Sequence, residues 1–286
     1  MTIATYQGIR DLADAYDHWI IDLWGVLHDG ATPYPGAIDT LNTLKQHGKT
    51  IILLSNAPRR AFKAEAVLES LGFDRNSYDT VITSGELTYH YLQAHTDYGK
   101  HYYYIGPPKD EDLLDDLPYV RVMEPADADF ALVTGFDEFG DPIESKLPQV
   151  EHCLKYELPM VCANPDRKVV KQDGRVMLCA GLLGEWYQEN GGKVQFFGKP
   201  YASAYASCMA YFGTDDTSRI IAVGDSIHTD IAGARLSNIT ALLVAGGILA
   251  ESLDIIPGEM PAEAAINRVV KQEGMAPNGV IARFTW

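Results

Sequence analysis

Four short stretches hold residue types that could act together. Asp22 ends the apolar run "WIIDL" (19–23), and the chain must turn just after it, which Gly25 permits. Ser55 and Asn56 follow "IILL", where a hydroxyl and backbone N–H groups can take anionic oxygens. Lys199 stands between Gly198 and Pro200 in "FFGKP", so it projects from a loop rather than a helix. In "VGDSIHTD" (223–230) a strand runs into Gly224, and Asp225 and Asp230 enclose a loop that opens a helix. Asp22, Asp225 and Asp230 would together make a hard oxygen site suited to Mg2+, which takes a few carboxylates plus water and phosphate oxygens. Each stretch alone has a plainer explanation: Ser-Asn suits a turn, Asp caps a helix, a loop Lys is solvated. Their joint presence carries the weight.

The elements around them form a pattern. "WIIDL", "TIILLS" (50–55) and "TVITSG" (80–85) read as strands. Between them lie helices over 35–48, with Ile38, Leu41 and Leu44 on one stripe, and over about 59–71. After residue 194 the alternation resumes: strands "VQFFG" (194–198), "RIIAVGD" (219–225) and "TALLVAGG" (240–247), helices over 201–213 and 230–238. This predicts an α/β fold, a doubly wound, Rossmann-like parallel sheet whose ligands bind beyond the carboxyl ends of the strands. All four stretches fall at such ends. Residues 98–193 have a different texture, with strands at "HYYYIG", "ADFALVTG", "LPMVCAN" and "KVVKQDGRVML", a helix over 143–157 and a hairpin turn at 172–174. They make an inserted α/β cap domain, and residues 1–97 and 194–286 the discontinuous core.

A net charge of −16 argues against nucleic acid, which is bound largely through Lys and Arg. Residues 1–30 show no secretory signal, and the longest apolar run, 239–250, is too short to cross a bilayer, so the expectation is a cytoplasmic protein with no membrane partner. Cys153, Cys162, Cys179 and Cys208 lack metal or disulfide spacing and read as buried free thiols.

In order, "DLWGV", "LLSNA", "GKP" and "GDSIHTD" resemble the motifs of the haloacid dehalogenase superfamily of aspartate-nucleophile phosphatases. The insertion between the second and third of them, with "PYPGA" (33–37), "VITSGE" (81–86), "NPD" (164–166) and "AGLLGEWYQENGG" (180–192), is similar to the class IIA branch. The resemblance implies a Mg2+-dependent phosphohydrolase of a small phosphorylated metabolite. Asp22 would attack phosphorus and form an aspartyl phosphate, and Ser55, Asn56 and Lys199 would hold the phosphoryl group. Asp22, Asp225 and the backbone carbonyl of Trp24 would ligate the metal, and Asp230, Gly224 and Ser226 would support that loop. Caps of this kind also form dimer contacts in the family, which leaves a homodimer open.

The chain departs from the family at Trp24, where the phosphatases carry a second aspartate that protonates the leaving oxygen and then activates water. Indole offers only a neutral N–H donor. General acid–base help is worth about 10²–10⁴-fold, so its loss restricts catalysis without abolishing it. His28 and His228 lie in the motif loops and are candidate substitutes. Two alternatives stay open: a binder of phosphate and Mg2+ that has given up turnover, and a metal-independent dehalogenase-like hydrolase, since dehalogenases carry an aromatic residue at this position. In the cap, Asn164, Asp166 and Arg167 could face substrate or could simply form an Asn-Pro-Asp turn.

Overall fold

The computed structural model describes residues 3–170 and 174–286. The chain opens with β1 (Ala4–Thr5), α1 (Arg10–Ala13), β2 (His18–Ile21), α2 (Ala37–Gln46), β3 (Thr50–Ser55), α3 (Ala61–Ser70), β4 (Thr80–Thr83) and α4 (Ser84–Ala94). Then come β5 (His101–Ile105), β6 (Val120–Val122), β7 (Phe130–Val133), α5 (Leu147–Lys155), β8 (Met160–Cys162), β9 (Lys168–Val170), β10 (Val176–Leu178), α6 (Ala180–Glu189) and β11 (Val194–Phe196). It closes with α7 (Ala202–Phe212), β12 (Ile220–Gly224), α8 (Ala232–Leu236), β13 (Thr240–Val244), α9 (Glu263–Glu273) and β14 (Gly279–Ile281).

Two units result. One comprises residues 1–55, 65–82 and 199–286, the other residues 56–64 and 83–198. The first carries a sheet of order β1-β14-β13-β12-β2-β3-β4. Its central strands read HWII, TIILLS, IIAVG and TALLV and are buried almost throughout, as parallel strands covered on both faces must be. Each such Ile, Leu or Val contributes about 1.5–3 kcal/mol by leaving water. Numbering runs outward in one direction from β2 and in the other from β12. The strand order therefore reverses between these two neighbours, the point beyond whose carboxyl ends such sheets take their ligands. On α2, Leu41 and Leu44 are buried as their spacing predicts, with Ala37 rather than Ile38 completing the stripe.

The second unit has a five-stranded sheet of order β11-β8-β7-β5-β6 and the antiparallel hairpin β9–β10. Residues 172 and 173 of the turn expected there lie outside the described residues. Tyr102, Tyr104 and Tyr187 are core residues, while Tyr103 and Trp186 pack half-buried against that core.

The expected boundaries need correction on both sides of the insertion. It starts at Thr83 rather than 98, takes in α4 and also claims residues 56–64. "VQFFG", assigned from sequence to the core, instead pairs through β11 with β8, Val194 opposite Met160 and Phe196 opposite Cys162. An apolar strand looks the same whichever sheet it joins, because its partner is not local in sequence. The sequence reading also passed over β1, α9 and β14, two of which are strands of two or three residues.

The four cysteines are free and buried. Among the described residues no helix is long and apolar enough to cross a membrane.

Candidate active site

Asp22, Ser55 and Asp225 come one after another past the carboxyl ends of the adjacent strands β2, β3 and β12. Ile21 is paired with both Leu53 and Val223, and the Asp22 N–H donates to the Val223 carbonyl at 2.9 Å. All three side chains are buried.

Lys199, also buried, donates from Nζ to Asp22 Oδ1 at 2.5 Å and to Asp230 Oδ1 at 2.7 Å. Asp225 Oδ2 accepts the Ile248 backbone N–H at 2.8 Å. Asp22, Asp225 and Asp230 each present an oxygen, and these oxygens lie within 4.8 Å of one another. The loop after β12 is shaped to bring Asp230 inward. Ser226 N–H donates to Asp230 Oδ2 at 3.2 Å, and Ser226 Oγ accepts the Thr229 N–H at 3.3 Å. Residues 227–231 form a π-helical turn, a device often found at functional positions. Tyr205, buried on α7, donates its hydroxyl to the Asp230 carbonyl at 3.0 Å.

Glycines make room for these carboxylates. A Cβ at Gly25 would fall 1.8 Å from Asp225 Oδ2, and the position has φ +86°, so both space and backbone demand glycine. A Cβ at Gly247 would fall 2.1 Å from the same oxygen, and one at Gly224 2.0 Å from Asp230 Cγ.

Three buried carboxylates are gathered here, and the Lys199 ammonium bridges two of them, Asp22 and Asp230. Burial alone would pull Lys199 down, but Asp22 and Asp230 outweigh it and hold the ammonium well above its ordinary value. Asp22 is pushed up, first by burial and then by Asp230 and Asp225, against the pull of Lys199. Tyr34 is pushed up by burial and by the Asp225, Asp29 and Asp22 carboxylates. A cluster of hard oxygens fits a divalent cation with oxygen preference.

The other predicted residues divide. Trp24 is half-buried in the loop after Asp22, and its ring crosses that of His28 at 6.1 Å. His28 is buried, with Nδ1 accepting the Gly30 N–H at 2.9 Å, so its role in this loop is structural. His228 is 70% exposed and pairs with Glu273. The Asn56 side chain is engaged within the second unit: its Nδ2 donates to Asp166 Oδ1 at 2.8 Å and its Oδ1 lies 3.4 Å from Ser84 Oγ. Asn164 Oδ1 accepts the Asp166 N–H at 3.0 Å, the Asx turn that Asn-Pro-Asp favours, and Arg167 is exposed and pairs with Glu185. Sequence reasoning missed Gly247, the Ile248 N–H and Tyr205. The Gly-Gly pair ending "TALLVAGG" was the available signal for Gly247.

A parallel sheet with a buried carboxylate, a lysine and further carboxylates at its switch point has the layout of an α/β enzyme. The comparisons agree. The haloacid dehalogenase-like hydrolase family model matches residues 19–119, and an HAD-hydrolase-like model matches residues 196–266. The sugar-phosphatase AraL of Bacillus subtilis is 28% identical over 235 residues, 80% of this chain and 82% of that one. The D-glycerol 3-phosphate phosphatase of Mycobacterium tuberculosis is 24% identical over 84% of this chain and 66% of its own. The crystal structure of a haloacid dehalogenase-like hydrolase from Brucella suis 1330 superposes with a TM-score of 0.83 at 28% identity, covering 98% of this chain and 100% of the other. The chain belongs to the haloacid dehalogenase superfamily and is a hydrolase.

Proposed function

We propose that the protein is a Mg2+-dependent phosphohydrolase that acts through Asp22 on a small phosphorylated metabolite, with turnover restricted to leaving groups that need no proton. The observation that supports this most is the joint burial of Asp22, Lys199, Asp230 and Asp225 with oxygens within 4.8 Å. The relatives named as sugar and glycerol phosphate phosphatases point the same way.

Asp22, Asp225 and the backbone carbonyl of Trp24 would hold Mg2+, which when bound neutralises carboxylate charge and draws charge from the phosphoryl oxygens. An Asp22 carboxylate oxygen attacks phosphorus in line. The P–O bond to the leaving group breaks, its electron pair goes to that oxygen, and an aspartyl phosphate remains. Lys199 holds Asp22 in place and takes charge from the transferring phosphoryl group, and Ser55, at the end of β3, binds a phosphoryl oxygen. Asp230 orients Lys199, with Gly224 and Ser226 shaping its loop. Water then attacks the phosphorus, releasing inorganic phosphate and free Asp22.

Trp24 offers the departing oxygen no proton, so phenolate and acylate leave readily and alkoxide poorly. The acidic surface charge disfavours nucleic acid and anionic membranes as partners, and we place the enzyme in the cytoplasm.

The test is phosphate release from 4-nitrophenyl phosphate, acetyl phosphate and glycerol 3-phosphate with Mg2+ and with EDTA. The expected result is Mg2+-dependent turnover of the first two, faster than of the third by about 10²-fold. Equal rates on all three would refute the restriction. Binding of Mg2+ and beryllium trifluoride without turnover would make the protein a binder, and halide release from a 2-haloacid in EDTA a dehalogenase.

A further inference from the structure

Trp24 does more than lack a proton. A Cβ placed on Gly30 would fall 2.4 Å from Trp24 Cζ3 and 2.6 Å from Cη2, so the six-membered ring of the indole rests directly on the Gly30 backbone. Gly30 also has φ +85°, a conformation that side-chain-bearing residues rarely adopt, so this seat exists only because the residue is glycine. The seat is itself fastened: Gly30 N–H donates to His28 Nδ1 at 2.9 Å, and Gly25 N–H to the His28 carbonyl at 3.0 Å. The His28 ring meets the indole edge-on at 70° and has Phe73 at 6.5 Å. Asp29 braces the same turn by accepting the Ala31 and Thr32 N–H groups at 3.0 and 2.7 Å.

Gly25 to Asp29 are buried, whereas the indole is half-buried and its seat, Gly30, is exposed. A tryptophan whose sole role was to fill space would be enclosed like Trp19. Here a large flat ring is held by its own loop in one orientation, part of it is open, and it stands two residues from the attacking carboxylate. Its rotamer is set before any substrate arrives, so binding against it forfeits little side-chain freedom.

We infer that the Trp24 indole, seated on Gly30, is a preformed platform for a flat aromatic leaving group, which makes aryl phosphates the substrate class. The inference rests on the phosphohydrolase reading and narrows it: acyl and aryl phosphates both leave without a proton, but only the aryl group can stack. Aromatic contact of this kind gives about a three- to tenfold gain in affinity.

Calorimetric binding of phenylphosphonate and methylphosphonate in the presence of Mg2+ tests it, because neither ligand can turn over. The intact protein is expected to prefer phenylphosphonate by that factor, and the ratio to fall to near one in both Trp24→Leu and Gly30→Ala. Should Gly30→Ala fail to fold, Trp24→Leu decides alone. Equal affinity for the two ligands in the intact protein, or a preference that survives the substitution, overturns the platform. With Mg2+-dependent phosphate release intact, such a result leaves the phosphohydrolase standing. Failure of both phosphonates to bind, together with no phosphate release, brings down both readings.

Discussion

Glu86 in the second unit and Asp22 in the first are carboxylates drawn out of water and compensated in opposite ways. Glu86 Oε2 accepts Arg60 Nε at 2.8 Å and the Ala61 N–H at 2.8 Å, and Oε1 accepts Arg60 Nη2 at 3.1 Å. The Arg60 guanidinium in turn lies 3.4 Å from the centre of the Tyr89 ring. Burial raises Glu86, but Arg60 and the Ala61 N–H outweigh it, so its carboxyl titrates below its ordinary value. The anion meets a planar cation with matched geometry, a fork at a helix entrance, and His90 Nε2 lies 3.1 Å from its Oε1 as a further partner. Asp22 shares one ammonium with Asp230, with Asp225 close by, and its carboxyl is pushed up. The Glu86 charge is met within the second unit, whereas Asp22, Asp225 and Asp230 present oxygens within 4.8 Å of one another, a donor set that suits a divalent cation. Several carboxylates gathered around a shared ammonium, more than burial alone, distinguish the candidate site from the scaffold.

Lys199→Met should break this contrast most severely. It removes the ammonium that bridges Asp22 and Asp230, so phosphate release should fall by at least about 10²–10³-fold, with about 3–5 kcal/mol lost in urea unfolding without metal. A variant with normal turnover would show that the cluster is merely structural. Next comes Trp24→Asp, which should raise turnover of glycerol 3-phosphate by about 10²-fold and of 4-nitrophenyl phosphate far less. An unchanged ratio of the two rates would mean that the proton travels elsewhere.

Smaller effects appear in stability. Mg2+ at about a hundred times its dissociation constant should stabilise the protein by about 2.7 kcal/mol in thermal melts, and Asp225→Asn should abolish that gain while raising the melting temperature of the metal-free chain. Glu86→Gln should act with the opposite sign, costing about 1–2 kcal/mol with or without metal. Because the folded value of Glu86 lies below its ordinary 4.5, its contribution is present above pH 4.5 and is lost as pH falls through the lowered value. Stability curves of wild type and Glu86→Gln should therefore converge in acid. Curves that stay parallel would show that the pair contributes little.

That Asp22, Ser55 and Asp225 lie together was legible because each ends or follows an apolar strand of one parallel sheet, which gathers such ends on one side; Lys199 follows β11, a strand of the other sheet. The setting of Asn56 was not legible: "LLSNA" places it one residue beyond Ser55, but nothing local says that its amide turns to Asp166 and Ser84. The role of Lys199 in bridging Asp22 and Asp230 was equally invisible, since Lys199 and Asp22 are 177 positions apart. Ile248 acts through a backbone N–H, which every residue but proline has, so no residue type could have marked it.

By itself the sequence determined the strand-and-helix alternation and the carboxylates at strand ends, because these follow from local periodicity and side-chain chemistry. Only the tertiary structure decided which sheet β11 joins, that Lys199 bridges two of the three aspartates, and that Gly30 seats the indole. Pairing, desolvation and steric contact arise between residues far apart in the chain or around a turn whose shape the letters do not specify.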